Sequence, residues 1–372
     1  MTKPKVRESN LELFRILVML LIVAHHYVVN SGLTGINSGP IFENITSLKS
    51  IFLLVAGAWG KTGINCFVLI SGYFMCKSQI TLKKFVKLLG VVMFYKIVIY
   101  FVFLATPYTT FSLKDAIFTF IPVVSVSTGF TETYLLFFLT IPFLNILINN
   151  LTEKQHFLLI LLTGFIYVFF GTFPMFSVSM NYVSWFAVLY FIASYIRLYP
   201  KKIFSNTKFW GFATLITVTI SVLTVVGGAY MSARIGRDVS HYFVYDSNTL
   251  MAVLVGVCSF LFFKNVKIKN SKFINTVSAT CFGVLQIHAN CDAMRIWLWG
   301  TVLNNVGAYY TKYTALHLII SVIGVFAVCS VIELLRINFI EKPFFKLWDK
   351  YYEKIKNRIN GMTNKKLSEG EK

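Results

Sequence analysis

The sequence predicts an all-α fold: a polytopic membrane helical bundle of about ten transmembrane helices with both termini cytoplasmic. Three observations predict it. The 372 residues are 56% hydrophobic and only 13% charged, with a mean hydropathy of +0.68, whereas a soluble domain carries roughly 25% charged residues and cannot hide this much Phe, Leu and Ile. Apolar runs of about 20 residues, the length that crosses a hydrocarbon core, recur from end to end. The basic residues are also partitioned. With spans alternating in direction, one side of the bundle carries 26 of the 35 Lys and Arg, the opposite side carries seven, and Arg15 and Lys96 lie inside spans. The basic side is the cytoplasmic one by the positive-inside rule.

The spans fall at 10–30, 53–75, 86–106, 131–149, 156–174, 181–198, 209–231, 248–264, 274–292 and 313–335. Each even-numbered connection and each terminus holds a basic segment: "KPKVR", "CKSQITLKKFVK", "TEK", "RLYPKK", "KNVKIKNSK" and the tail. On the other side, "SLKDAIFTFIPVV" and "STGFTETY" are expected to form a short re-entrant or surface element. Residues 1–349 read as one membrane domain and 350–372 as a basic cytoplasmic tail, whose end "GMTNKKLSEGEK" has the composition of a disordered segment. The first run lacks a small-residue cleavage site and holds too many charges for a cleaved signal peptide. The formal charge of +20 is accounted for by topology and attraction to anionic lipid in the bilayer, which excludes a nucleic-acid footprint. The six cysteines lie in or beside apolar runs without metal-ligand spacing, so they read as core thiols and no metal site is expected.

The first span poses the chemical question. "LELFRILVMLLIVAHHY" carries Glu12, Arg15, His25 and His26, and a charged group facing lipid at that depth costs at least about 2.5 kcal/mol. Arg15 and His26 are eleven residues apart, close to three turns, which puts them on one face about 16 Å apart along the axis. Glu12, Met19 and Ile22 share that stripe, and His25 points about 100° away. Glu12 can pair with Arg15 three residues on. Such a stripe faces the bundle or a water-filled cavity. One reading is an interfacial ion pair with a hydrogen-bonded core histidine; the other is a polar pathway from the cytoplasmic face to a titratable imidazole deep inside.

"LELFRILVMLLIVAHH" resembles the first helix of the acyltransferase-3 family of integral membrane acyltransferases, whose signature there maps to Glu12, Arg15 and His26. "NCFVLISGYF" is similar to that family's Phe-rich run into Ser-Gly-Phe, with Ser71, Gly72 and Tyr73. "TYLLFFLTIPFLN" resembles its fourth-span pattern, "FGVLQIH" its late span ending at His288, and "FIEKPFFK" its closing Glu-x-Pro with Glu341 and Pro343. Taken in order, these motifs span almost the whole chain. Two departures stand out. Lys77, Lys83, Lys84 and Lys87 replace an Arg-rich run, giving point charges instead of bidentate forks, and Leu285-Gln286 replaces a Tyr before the late His. The extracellular hydrolase-like domain that some members append is not among the motifs, so the membrane domain is expected to act alone or to hand product to a partner.

The resemblance implies a multi-pass cell-membrane enzyme that moves an acyl group, usually acetyl, from acyl-CoA to a hydroxyl of a cell-surface glycan or its lipid-linked precursor. Acyl-CoA is then a co-substrate, and no permanently bound cofactor is expected. Arg15 with Lys77, Lys83, Lys84 and Lys87 would meet the CoA phosphates, His26 would be the general base, and Glu12 would orient Arg15. An acyl-His intermediate remains open, and so does oxyanion stabilisation by Arg15. Ser71 and Gly72 read first as a close helix contact. His288 faces either the cavity of His26 or a satisfied core, and Glu341 reads as structural. Lys96 and Glu333 have no assigned role. His156, His241 and His317 are expected at interfaces, and Trp185, Trp297, Trp299 and Tyr351 in aromatic belts. Polysaccharide-assembly machinery or a second copy are further candidate partners. A glycan exporter is the alternative function, but the prolines here fall mostly at span ends, not within broken spans. A non-catalytic scaffold leaves the buried stripe unexplained.

Overall fold

The computed structural model describes residues 8–35, 38–121, 129–173 and 181–352. Among them the chain is helical throughout, with a single isolated bridge between Gly35 and Ser38 and no strand. A lipid core offers no hydrogen-bond partner to a backbone amide, so an apolar run is driven to satisfy every amide internally as a helix. The helices begin where polar residues can take the unpaired amides of the first turn. Ser47, Thr81, Asn181, Asn206 and Ser271 each accept a backbone N–H from their own helix. Thr152 and Gln155 close a reciprocal capping box before Glu153–Gly164. The long helix Thr207–Ile235 stops at Gly236, whose φ of +68° a side chain would disfavour.

Among the described residues, seven helical stretches are long and apolar enough to cross a membrane: Ser9–Val29, Leu48–Met75, Leu82–Leu104, Phe130–Asn150, Glu153–Thr172, Thr207–Ile235 and Thr314–Tyr352. Tyr182–Leu198 and Leu250–Asn265 are apolar but shorter. The span expected at 274–292 is not continuous; it is Lys272–Ser278 and Cys281–His288, interrupted at Ala279-Thr280. The run at 53–75 likewise starts earlier and bends between Leu48–Gly57 and Gly60–Met75. Thr314–Arg336 passes through a π-turn at Ile337–Glu341 and stays helical to Tyr352. The segment "SLKDAIFTF" forms a short helix, Leu113–Phe120, packed on Leu82–Leu104. The expected re-entrant element beyond it falls partly on 122–128, and "KPKVR" and most of the basic tail also lie outside the described residues.

The first helix is the hub. It packs against Leu48–Gly57, Gly60–Met75, Leu250–Asn265, Lys272–Ser278, Cys281–His288 and Thr314–Arg336, while Thr207–Ile235 lies at the margin with most side chains outward. At the basic end of the bundle, Asn10 donates to the carbonyls of Phe263 and Lys264, and Ser9 donates to Asn275. Packing moves two residues expected in aromatic belts. Trp185 and Trp299 are fully buried, and the Trp185 indole N–H donates to Asn65 Oδ1 at 3.1 Å. Trp297 and Tyr351 do reach the surface. His156 is not interfacial either: it is fully buried, with Nε2 on the Phe191 carbonyl at 3.0 Å. Hydropathy reports depth along a span, not the side it presents to its neighbours.

Glu333 and Glu341 belong to one buried cluster near the basic end. Arg336 donates to both Glu333 oxygens at 2.7 and 2.8 Å and to Glu341 at 2.7 Å, and Tyr95 donates to Glu333 at 2.7 Å. Lys87 reaches the other Glu341 oxygen at 2.6 Å. Truncating Arg336 to Ala would leave two buried carboxylates without their shared cation. The expected destabilisation is about 3–5 kcal/mol, read as a lowered melting midpoint of the purified protein in detergent, with Arg336→Lys intermediate because it cannot fork.

Candidate active site

The stripe on the first helix resolves into two separate places. Near the basic end, Arg15 Nη1 lies 2.5 Å from Glu12 Oε2 and 3.3 Å from Ser278 Oγ, and Ser278 donates its hydroxyl to Glu12. Glu12 is buried, whereas the Arg15 side chain is 23% exposed. The break at Ala279-Thr280 matters here. It ends one short helix at Ser278 against Glu12 and starts another at Cys281, whose Sγ lies 3.8 Å from the Arg15 carbonyl. Ser71 accepts the Tyr134 hydroxyl at 2.8 Å. Gly72 meets Tyr190 and Ala193 so closely that an added Cβ would sit 3.0 Å from the Ala193 methyl, in keeping with a small-residue helix contact.

Toward the far end, a cavity of about 720 Å³ opens beside His26. Met19, Ile22, Phe67, Phe282 and Leu285 give it an apolar floor, and Arg15 lies below that floor and does not border the cavity. His25 does border it, together with His26. The expected 100° rotation of His25 away from the site therefore does not remove it: the cavity wraps around more than one face of the central helix. His25 Nδ1 is held 2.5 Å from the Gly57 carbonyl, and its ring lies so close to Gly60 that an added Cβ there would stand 2.3 Å from it.

His26 is placed by a chain of two hydrogen bonds. His288 is fully buried, and its Nδ1 lies 2.6 Å from the Val284 carbonyl, which can only accept. That carbonyl assigns the proton of a neutral His288 to Nδ1 and leaves Nε2 as an acceptor. His288 Nε2 lies 2.9 Å from His26 Nδ1, so His26 donates from Nδ1 and carries its lone pair on Nε2. Thus a backbone carbonyl on Cys281–His288 selects the tautomer of an imidazole on the first helix. Trp299 stands edge-on to His288 and Tyr27, with ring centroids 6.3 and 6.0 Å away, and braces the pair.

Charged and polar groups line the rest of the cavity, most of them already paired. Lys96 and Glu132 are 2.5 Å apart, which supplies the partner that an intramembrane lysine requires. Lys61 donates to the Tyr182 hydroxyl at 2.5 Å and lies 3.4 Å from Asp246, to which Tyr182 donates at 2.8 Å. Gln286, in the Leu285-Gln286 pair that replaces the Tyr of the family pattern, donates to Thr131 at 2.8 Å. Arg295 and Asp292 pair at 2.7 Å. The sequence marked Lys96 only as an intramembrane charge and Lys61 and Arg295 only as charges of the far side. An acidic residue at the start of the next span, Glu132, was the available signal for the Lys96 pair.

The lysines expected at the donor mouth are at the basic end but are not all free. Lys83 is held by both Asp349 oxygens at 2.6 and 2.8 Å, Lys87 by Glu341, and Lys84 by Ser78 and the Gln79 carbonyl, each at 2.6 Å. Lys77 is exposed and borders a shallower hollow with Asn145 and Asn149. No group of His, Cys, Asp and Glu suited to a metal occurs among the described residues. The site can thus offer an oriented imidazole at the wall of a polar cavity, with a cationic station, Arg15, about 16 Å away along the same helix.

Residues 8–334 match the family model Acyl_transf_3, described as an acyltransferase domain. No curated protein matches the chain, and no solved structure does. The match takes in most of the sequence, the first-helix stripe and the late histidine included, and so the chain belongs to the acyltransferase-3 family and is a multi-pass membrane acyltransferase.

Proposed function

We propose that this enzyme transfers an acetyl group from acetyl-CoA to a hydroxyl of a cell-surface polysaccharide or its lipid-linked precursor, with the basic end of the bundle cytoplasmic and the cavity facing outward in the cell membrane. One observation carries the reading: His26 borders a polar cavity with its tautomer set by His288 and the Val284 carbonyl, as a general base for a hydroxyl must be. His26 Nε2 takes the proton of the acceptor hydroxyl as its oxygen adds to the thioester carbonyl. The tetrahedral intermediate collapses with loss of the CoA thiolate, which recovers that proton from the imidazolium, leaving an ester and free CoA. Arg15, partly exposed and fixed by Glu12, receives the donor near the basic mouth. The 16 Å to His26 is roughly the reach of an extended pantetheine arm. Lys77 is open to the CoA phosphates, while Lys83 and Lys87 reach them by exchanging Asp349 and Glu341 for a phosphate.

The orientation has a direct check. A cysteine at the exposed far-end position Thr311 should react with a membrane-impermeant thiol reagent on intact cells, and one at the exposed basic-end position Ser205 should not. The reverse pattern removes the cytoplasmic donor route.

The imidazole chain makes a graded prediction, read by mass analysis of the surface glycan for the acetyl increment. His26→Ala should lower acetylation by about 10²- to 10⁴-fold with normal protein abundance. His288→Gln keeps an acceptor near His26 Nδ1 and should retain about tenfold more activity than His288→Leu, which frees the tautomer. Equal loss in Gln and Leu variants would deny His288 its orienting role, and an unaltered glycan in cells lacking the wild-type chain would end the acetyltransferase reading.

Donor binding separates Arg15 from the chemistry. Titrated with acetyl-CoA by calorimetry, Arg15→Lys should bind about tenfold more weakly because it loses the fork, and Arg15→Ala should also lose part of the salt dependence. Unchanged affinity in both variants would move Arg15 from the donor to a structural role.

A further inference from the structure

Acyl transfer builds negative charge on the thioester carbonyl oxygen, and that oxygen must lie near His26, at the cavity end of the first helix. Arg15 does not border the cavity. Three other cations border the cavity: Lys61, Lys96 and Arg295. Lys96 is neutralised by Glu132 at 2.5 Å, and both side chains are largely buried, so little of its field is left over. Lys61 is shared between Tyr182 and Asp246. Arg295 differs. Its partner Asp292 is 87% exposed, so water screens that pair and it is worth at most about 1 kcal/mol.

Arg295 also follows closely on the His288 segment. It ends the short helix Asp292–Arg295, seven residues after His288, and the following π-turn returns Trp299 against the His288 ring. Nη1 donates to Asp292 at 2.7 Å and Nη2 lies 3.4 Å from the Ala289 carbonyl, while buried Nε has no protein partner. Tyr100, 9% exposed and on the same cavity wall, has a hydroxyl without a protein partner as well. An oxyanion forming in the cavity that His26 and Arg295 both line would be attracted by the guanidinium and by the new imidazolium together.

We propose that Arg295 is a further catalytic residue, donating to the developing oxyanion of the tetrahedral intermediate, with the Tyr100 hydroxyl as a second donor. The inference rests on the acyl-transfer reading above. In the step, the acceptor oxygen forms a bond to the thioester carbon, the carbonyl π pair moves to oxygen as the oxyanion facing Arg295, and His26 holds the acceptor proton. On collapse that pair returns, the carbon–sulfur bond breaks, and the proton passes to the thiolate.

The test uses full-length enzyme in detergent, acetyl-CoA, and glycan isolated from cells that lack this chain. Arg295→Gln should lower kcat by about 10²- to 10³-fold while leaving the acetyl-CoA affinity within about twofold of wild type. Arg295→Lys should fall between, and ethylguanidinium added to Arg295→Ala should restore activity at least about tenfold. A purely structural brace would not be rescued by a diffusing guanidinium. Wild-type transfer with Arg295→Gln unaffected, or a loss that ethylguanidinium does not rescue, overturns the assignment of Arg295 alone. No transfer by wild type would overturn the parent reading and this one with it.

Discussion

An ionisable group at membrane depth must find its partner inside the protein, and the first helix meets that constraint through the broken segment 271–288. Ser9 pairs with Asn275, Glu12 with Ser278, and the Arg15 carbonyl with Cys281, all at one separation of 266 residues. His26 then meets His288. These contacts need polar atoms at successive levels of two neighbouring helices, and an unbroken apolar helix would offer few. The interruption at Ala279-Thr280 brings Ser278 to Glu12 and gives Thr280 a hydroxyl bond to Ser330 on the last long helix. Because the first helix is the hub of the bundle, fixing its rotation fixes where the cavity can open.

The same constraint explains which parts of the structure were legible beforehand. A buried charge in a span reads directly from sequence, since lipid exposure would be too costly; hence Glu12, Arg15 and His26 were found, with the all-α bundle around them. The partners were harder to see. Lys96 and Glu132 are 36 residues apart on different helices, and nothing local in either run names the other. Trp185 and Trp299 were expected at the water boundary because an indole is amphipathic, yet here Asn65 supplies Trp185 with its acceptor in the core. A span apolar on every side carries no periodic signal of which face is covered, so rotation about its axis has to come from the packing.

His25 illustrates the limit of face arguments. The helical wheel separates it from His26 correctly, but the cavity is wider than one face, and Gly60 lets a neighbouring helix approach the His25 ring from the side. His288, by contrast, was visible as a motif position without a partner. Its meaning lay in the third dimension, where it turns a backbone carbonyl into the selector of the His26 tautomer.

The two stations on the first helix divide the proposed reaction by charge. The basic end is suited to a highly anionic donor head, and the cavity is close to neutral, with Lys61, Lys96 and Arg295 set against Asp115, Glu132 and Asp292 on its wall. A CoA head group therefore gains little by entering the cavity and much by remaining at the basic mouth. Between the stations lie Met19 and Ile22, nearly fully buried, about one turn and two turns beyond Arg15. A charged head group would lose its hydration in that apolar interval, whereas the proposed donor would cross it with an uncharged pantetheine arm. An exporter would need the opposite design, a wide polar route through the same level. The interruption at Ala279-Thr280 is a break of the kind transporters use, but the buried apolar Met19 and Ile22 between the stations fit the proposed chemistry at the cavity better than passage of a glycan through the bundle.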